Sequence, residues 1–96
     1  MKQFVIHAWD GNDEKALERR MAARPGHFSR AKELKASGNF VIGGAMLDDS
    51  GKMIGSTMIV QFESETELQA WLDADPYMEG KVWENVRVYP FRVADV

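Results

Sequence analysis

The chain contains no cysteine, which removes disulfides, thiolate nucleophiles and cysteine-bound zinc or iron–sulfur clusters in one step. Only two histidines occur, His7 and His27, without HxxxH or HxH spacing, so a metal site would need carboxylates that no pattern announces. Neither GxGxxG nor GxxxxGK is present to cradle a phosphate. We therefore expect no metal and no cofactor. No stretch approaches the about 20 apolar residues of a membrane span, and the opening Met1-Lys2-Gln3-Phe4-Val5-Ile6-His7 lacks a secretory apolar core. The expectation is a cytoplasmic protein without a membrane partner. Positive charge is also scarce: 12 Lys and Arg face 15 Asp and Glu, for a net charge of −3. Duplex binding rests on clustered basic side chains, so nucleic acid is not an expected partner. The run Glu18-Arg19-Arg20 is mixed in sign and reads as a solvated helix face.

What remains is a globular composition, 45% hydrophobic and 28% charged, in a chain of one-domain length, residues 1–96. Lys2 to Trp9 is rich in β-branched and aromatic residues and stops at Asp10-Gly11-Asn12, predicting a strand. Asp13 to Ala22 predicts a helix that breaks at Arg24-Pro25 and restarts with Pro25 at its first position, running to Ser37 before Gly38. Asn39–Leu47 and Met53–Glu63 predict strands joined by the turn Asp48-Asp49-Ser50-Gly51-Lys52. Ser64-Glu65-Thr66-Glu67 is a capping box opening a helix through Ala74, which Pro76 ends. Val82–Val93 predicts a last strand, with Pro90 at an edge or bulge.

The order β-α-β-β-α-β is that of an α+β, ferredoxin-like sandwich, a four-stranded antiparallel sheet with both helices on one face. Regular alternation then sets Phe40, Ile42 and Met46 against Val41, Ala45 and Leu47, and Val86 and Val88 against Trp83, Tyr89 and Phe91. Both faces come out apolar, and two helices cover only one. A second copy, packed sheet to sheet about a two-fold axis, is the expected cover, so a homodimer is predicted.

Two proline-flanked segments carry the ionisable groups of interest, Arg24-Pro25-Gly26-His27 and Asp75-Pro76-Tyr77. His27, Ala31 and Leu34 fall on one helical face, and Leu68, Trp71, Leu72 and Asp75 continue another. A histidine in the first turn of the restarted helix is kept neutral by the dipole, and a carboxylate at the end of the second needs a donor. Together they form a candidate general-base pair, His27 and Asp75. Asp75 before Pro76 also reads as the N-cap of a short turn from Pro76 to Gly80, and His27 as a packed histidine. His7 reads as a packed or interface residue, Trp71 and Trp83 as core or pocket wall, and Ser56 as a packing or hydrogen-bonding group.

Arg24-Pro25-Gly26-His27, Phe40-Val41-Ile42-Gly43-Gly44, Ile54-Gly55-Ser56, Trp71 through Asp75-Pro76-Tyr77 and Val86-Arg87-Val88-Tyr89-Pro90-Phe91 together resemble the YciI-like domain family, of the dimeric α+β barrel superfamily. The resemblance covers essentially the whole chain. It implies a ferredoxin-like homodimer with a site centred on His27 and Asp75, and associates Ser56 with the pocket. The chain departs from the family where relatives often read Gly-Pro and it has Gly44-Ala45-Met46. Two functions are expected: an enzyme, of lyase, isomerase or dehydrochlorinase type, in which His27 moves a proton on a small molecule while Arg24, Ser56 and Tyr77 bind it; or a non-catalytic dimeric ligand-binding module.

Overall fold

A computed structural model describes residues 1–96. Its elements are β1 (Lys2–Asp10), α1 (Ala16–Ala36), β2 (Phe40–Leu47), β3 (Met53–Phe62), α2 (Glu65–Asp73), α3 (Pro76–Glu79) and β4 (Trp83–Phe91). The strands form one antiparallel sheet in the order β2-β3-β1-β4, the ferredoxin-like arrangement. Pro90 lies on the edge strand β4, where its missing N–H costs the sheet least. Ser64 caps α2 by accepting from Glu67 N–H at 3.2 Å, as the capping box requires.

One face of the sheet makes the core. Phe4, Ile6 and Ala8 of β1 and Met58, Val60 and Phe62 of β3 are buried beneath Leu34 of α1 and Leu68 and Leu72 of α2. Each fully buried Ile or Leu contributes about 1.5–3 kcal/mol, so this layer anchors both helices. The opposite face carries Val5, His7 and Ile59 half-buried, with Ile42, Tyr89 and Phe91 exposed. No helix is long and apolar enough to cross a membrane.

Two bulges revise the expected faces. The register passes from Phe40↔Val60 to Ile42↔Ile59, so Val41 is an extra residue that turns Phe40, Gly43 and Ala45 to the helix side and Ile42 and Met46 away from it. A second shift between Trp9 and Asp10 sets Trp83 opposite Asp10. Trp83 therefore enters the core at 5% exposure instead of sharing the outer face with Tyr89 and Phe91. Gly43 is part of the same adjustment, because a Cβ there would lie 2.8 Å from Phe40 Cζ and 2.9 Å from Met58 Cγ.

The expected break at Pro25 does not occur: α1 runs unbroken from Ala16 to Ala36 with Pro25 inside it. Proline deprives the Met21 carbonyl of its helical partner, but Pro25 and Met21 are both exposed, which leaves that carbonyl to water. The buried residues Arg20, His27 and Leu34 then hold the two halves of α1 in line against the sheet.

Candidate functional site

The two proline-flanked segments meet because a glycine lets them. A Cβ on Gly26 would lie 3.1 Å from Pro76 Cγ, so α3 seats against α1 only where side-chain bulk is absent. Asp75 is the N-cap of α3, with extended backbone and its carboxylate accepting from Tyr77 N–H at 2.9 Å. The same oxygen, Oδ1, lies 2.8 Å from His27 Nδ1, and Arg30 Nη1 donates to Oδ2 at 3.2 Å. Asp75 is fully buried, and three donors converge on its carboxylate. The capping role and the contact with His27 thus belong to one side chain.

This geometry corrects two arguments from helix ends. Asp75 stands at the start of α3 and not at the end of α2, where unpaired N–H groups favour a carboxylate. His27 lies within a continuous α1, so no N-terminal dipole acts on it. What orients the imidazole is the carboxylate, which faces Nδ1 and leaves Nε2 on the side of the ring away from Asp75.

Around the pair runs a stack of planar groups. The Tyr77 ring lies 4.1 Å from the His27 ring at an interplanar angle of 13°, and the Arg20 guanidinium sits 4.9 Å from the Tyr77 centroid. Trp83 meets His27 edge-on at 5.5 Å. Burial pushes the Tyr77 phenol pKa up, partly opposed by Arg20 and Arg24, so its hydroxyl stays protonated.

Arg20 was expected on a solvated face and is instead 3% exposed. Its Nη1 donates to both Asp10 oxygens at 2.9 and 3.0 Å, and its Nη2 donates to Ser56 Oγ at 2.8 Å. Ser56 Oγ also accepts from Trp83 Nε1 at 3.2 Å, which ties β1, α1, β3 and β4 together. Burial raises the Asp10 pKa, opposed by Arg20. Arg19 does meet water and pairs with Asp13 at 2.7 Å. The signal for Arg20 was in the chain: it precedes His27 by seven residues, the same face of an unbroken helix.

A cavity of about 210 Å³ opens beside this stack. Arg20, Arg24, His27, Ser56 and Tyr77 line it, with Phe28, Phe40 and Met58 among its apolar walls. Asp75 is not on the wall and lies behind His27. Arg24 is half-buried and stacks over Phe28 at 4.5 Å. Ala45, at the site of departure from the family pattern, also lines the cavity. Trp71 stands apart under Arg30, and His7 bonds Thr57 at 3.0 Å on the far face of the sheet. No three His, Asp or Glu side chains are arranged to hold a metal.

The chain matches the YCII-related domain over residues 3–92. It is 41% identical over 95 residues to Protein YciI of Escherichia coli O6:H1, covering 93% of this chain and 95% of that one. A protein of Haemophilus influenzae is 36% identical over the same shares of each chain. Among solved structures, 5-chloro-2-hydroxyhydroquinone dehydrochlorinase of Burkholderia phenoliruptrix AC1100, in complex with 2,5-dihydroxybenzoquinone, superposes with a TM-score of 0.82 at 24% identity, covering 96% of this chain and 95% of that one. A dimeric ferredoxin-like protein from Jannaschia sp. CCS1 superposes at 0.58 with 14% identity, covering 97% of this chain and all of that one.

Proposed function

The chain belongs to the YCII-related domain family, and we propose that it is a cytoplasmic, single-domain enzyme that uses His27 and Asp75 for general acid/base chemistry on a small molecule. The observation that carries this reading is the 2.8 Å contact between His27 Nδ1 and Asp75, made by a histidine that lines a cavity while the carboxylate is sealed behind it. In this reading Nε2 takes a proton from a hydroxyl or an acidified C–H of the bound molecule, and the freed electron pair moves into an adjoining carbonyl or ring. Isomerisation follows if the imidazolium returns the proton elsewhere, and elimination if a leaving group such as chloride departs. Asp75 holds the tautomer and stabilises the imidazolium, while Arg24, Ser56 and Tyr77 hold the molecule in place. A dehydrochlorinase with the same fold supports the elimination branch.

The test is turnover on halogenated and enolisable hydroxyaromatic compounds, followed by chloride release or absorbance. His27→Gln is expected to lower turnover by about 10²–10⁴-fold; full retention rejects the reading. A second reading is favoured by the bond from Tyr77 N–H to Asp75: a ligand-binding module in which the pair is structural. It predicts that His27→Gln lowers the melting temperature and leaves ligand affinity unchanged.

We also propose that the working form is a homodimer closed over the outer sheet face, where Ile42 is 63% and Tyr89 50% exposed. A two-fold partner offers this apolar face a matching one. Light scattering at micromolar concentration is expected to return a dimer mass, and Ile42→Lys a monomer mass; a monomeric parent protein refutes the assembly.

A further inference from the structure

Two residues that line the cavity each carry a buried polar atom that the surrounding network leaves without a partner. Arg20 Nε and Tyr77 Oη are both buried and form no hydrogen bond, in residues that line the cavity. Buried polar groups are satisfied almost without exception in folded proteins, and an orphan costs more than its bond would have contributed. Arg20 Nε can only donate, and the Tyr77 hydroxyl keeps its proton. Two donors call for an acceptor.

Charge counting leads in the same direction. Arg20 is matched by Asp10 and Arg30 by Asp75. Arg24 forms no ion pair and no hydrogen bond and stacks on the Phe28 ring, so its positive charge on the cavity wall is uncompensated. Size narrows the class further. A cavity of about 150 Å³ accommodates benzene, and a water-sized group takes about 30 Å³. The about 210 Å³ here admits a six-membered ring with about two small substituents. Phe28, Phe40 and Met58 offer apolar contact to its faces.

We propose that the cavity binds a ring-sized organic monoanion, its charged oxygen beside Arg24 and its polar substituents serving Arg20 Nε and Tyr77 Oη. The assignment rests on reading this cavity as the substrate site, and it holds whether or not His27 moves a proton. The probes are benzoate and its neutral isostere benzamide, titrated to about 10 mM, tenfold above a Kd of about 1 mM, with backbone amide shifts recorded on the whole chain. Benzoate is expected to shift cavity residues and to bind about tenfold more tightly than benzamide, as a charge-assisted contact should. Arg24→Gln should erase that preference. Tyr77→Phe should weaken benzoate about tenfold without lowering the melting temperature of the free protein, because it deletes only an unpartnered hydroxyl. A hydroxyl with a purely structural role would shift the melting temperature and leave the affinity alone.

Equal binding of benzoate and benzamide overturns the proposal, as does the absence of any shift in cavity residues with either probe. Failure of the acid/base reading looks different: benzoate is still preferred, and His27→Gln retains turnover.

Discussion

Asp75→Asn separates the two jobs of one carboxylate. Asparagine caps helices as well as aspartate does, so the bond from Tyr77 N–H at 2.9 Å can persist through the amide oxygen. The His27 contact on the same oxygen also persists but loses charge assistance, about half its strength, or about 1 kcal/mol. On the other side, an amide nitrogen now faces Arg30 Nη1 in place of an oxygen at 3.2 Å. Arg30 is 26% exposed and can turn to water, which limits that loss to below about 1 kcal/mol. The sum is about 1–2 kcal/mol, equivalent to a fall of about 4–16 °C in melting temperature for a domain of this size. Asp75→Ala removes the cap as well and leaves buried donors unmatched, for about 3–5 kcal/mol. Urea and thermal unfolding followed by circular dichroism read both variants. Equal costs for Asn and Ala would refute the division into cap and charge, and an Asn cost below about 0.5 kcal/mol would refute the charge-assisted contact.

Arg20→Met strands the Asp10 carboxylate, whose side chain is 3% exposed, and should cost about 3–5 kcal/mol in urea unfolding; adding Asp10→Leu should recover most of it, and no recovery would mean that Arg20 acts through Ser56 alone. Gly43→Ala drives a methyl to 2.8 Å from Phe40 Cζ and 2.9 Å from Met58 Cγ, with an expected loss of about 1–3 kcal/mol and a weakened benzoate titration, since all three residues line the cavity. The Arg19 guanidinium holds the Asp13 carboxyl well below its ordinary value of 3.8. A depressed folded-state pKa stabilises above the unfolded value and loses that contribution as pH falls, so the parent protein should lose stability below about pH 4 more steeply than Asp13→Asn, and parallel pH profiles would contradict the pairing.

The ferredoxin-like order was legible because each element announces itself locally: the Ser64 capping box, the Asp48–Lys52 turn and the Pro90 edge strand all stand where their chemistry sets them. The candidate site was legible in part. Helical phase puts His27 on the buried side of α1, whereas Asp75 lies beyond α2 and is placed by its cap on α3; phase also cannot register a bulge, so Val41 and the shift at Trp9/Asp10 moved Phe40, Gly43 and Trp83 without a local signal. Arg20 was lost for a different reason. The preference of proline for a helix start is a statement about backbone hydrogen bonds, and at Pro25 water can satisfy the one bond forgone. Packing of Arg20, His27 and Leu34 along the buried side then outweighs it. Once the helix is continuous, residue 20 falls on the same face as residue 27, and a charged run that looked solvated supplies the guanidinium stacked against Tyr77.

At Asp75 the helix cap and the contact with His27 are made by one carboxylate oxygen. A side chain that caps α3 is fixed in its backbone and its rotamer by the Tyr77 N–H, and a fixed carboxylate is what a histidine needs if its tautomer is to be held. In the acid/base reading proposed above, the stable cap serves the proton acceptor, because rigidity contributed by the fold becomes orientation of the His27 ring. It follows that the cost of Asp75→Asn in stability and its cost in turnover should diverge, because the cap survives the substitution while the charge that stabilises an imidazolium does not. Turnover should then fall by more than stability alone explains, with protein still folded at the assay temperature. A loss of turnover no larger than the loss of folded protein would return Asp75 to a purely structural role.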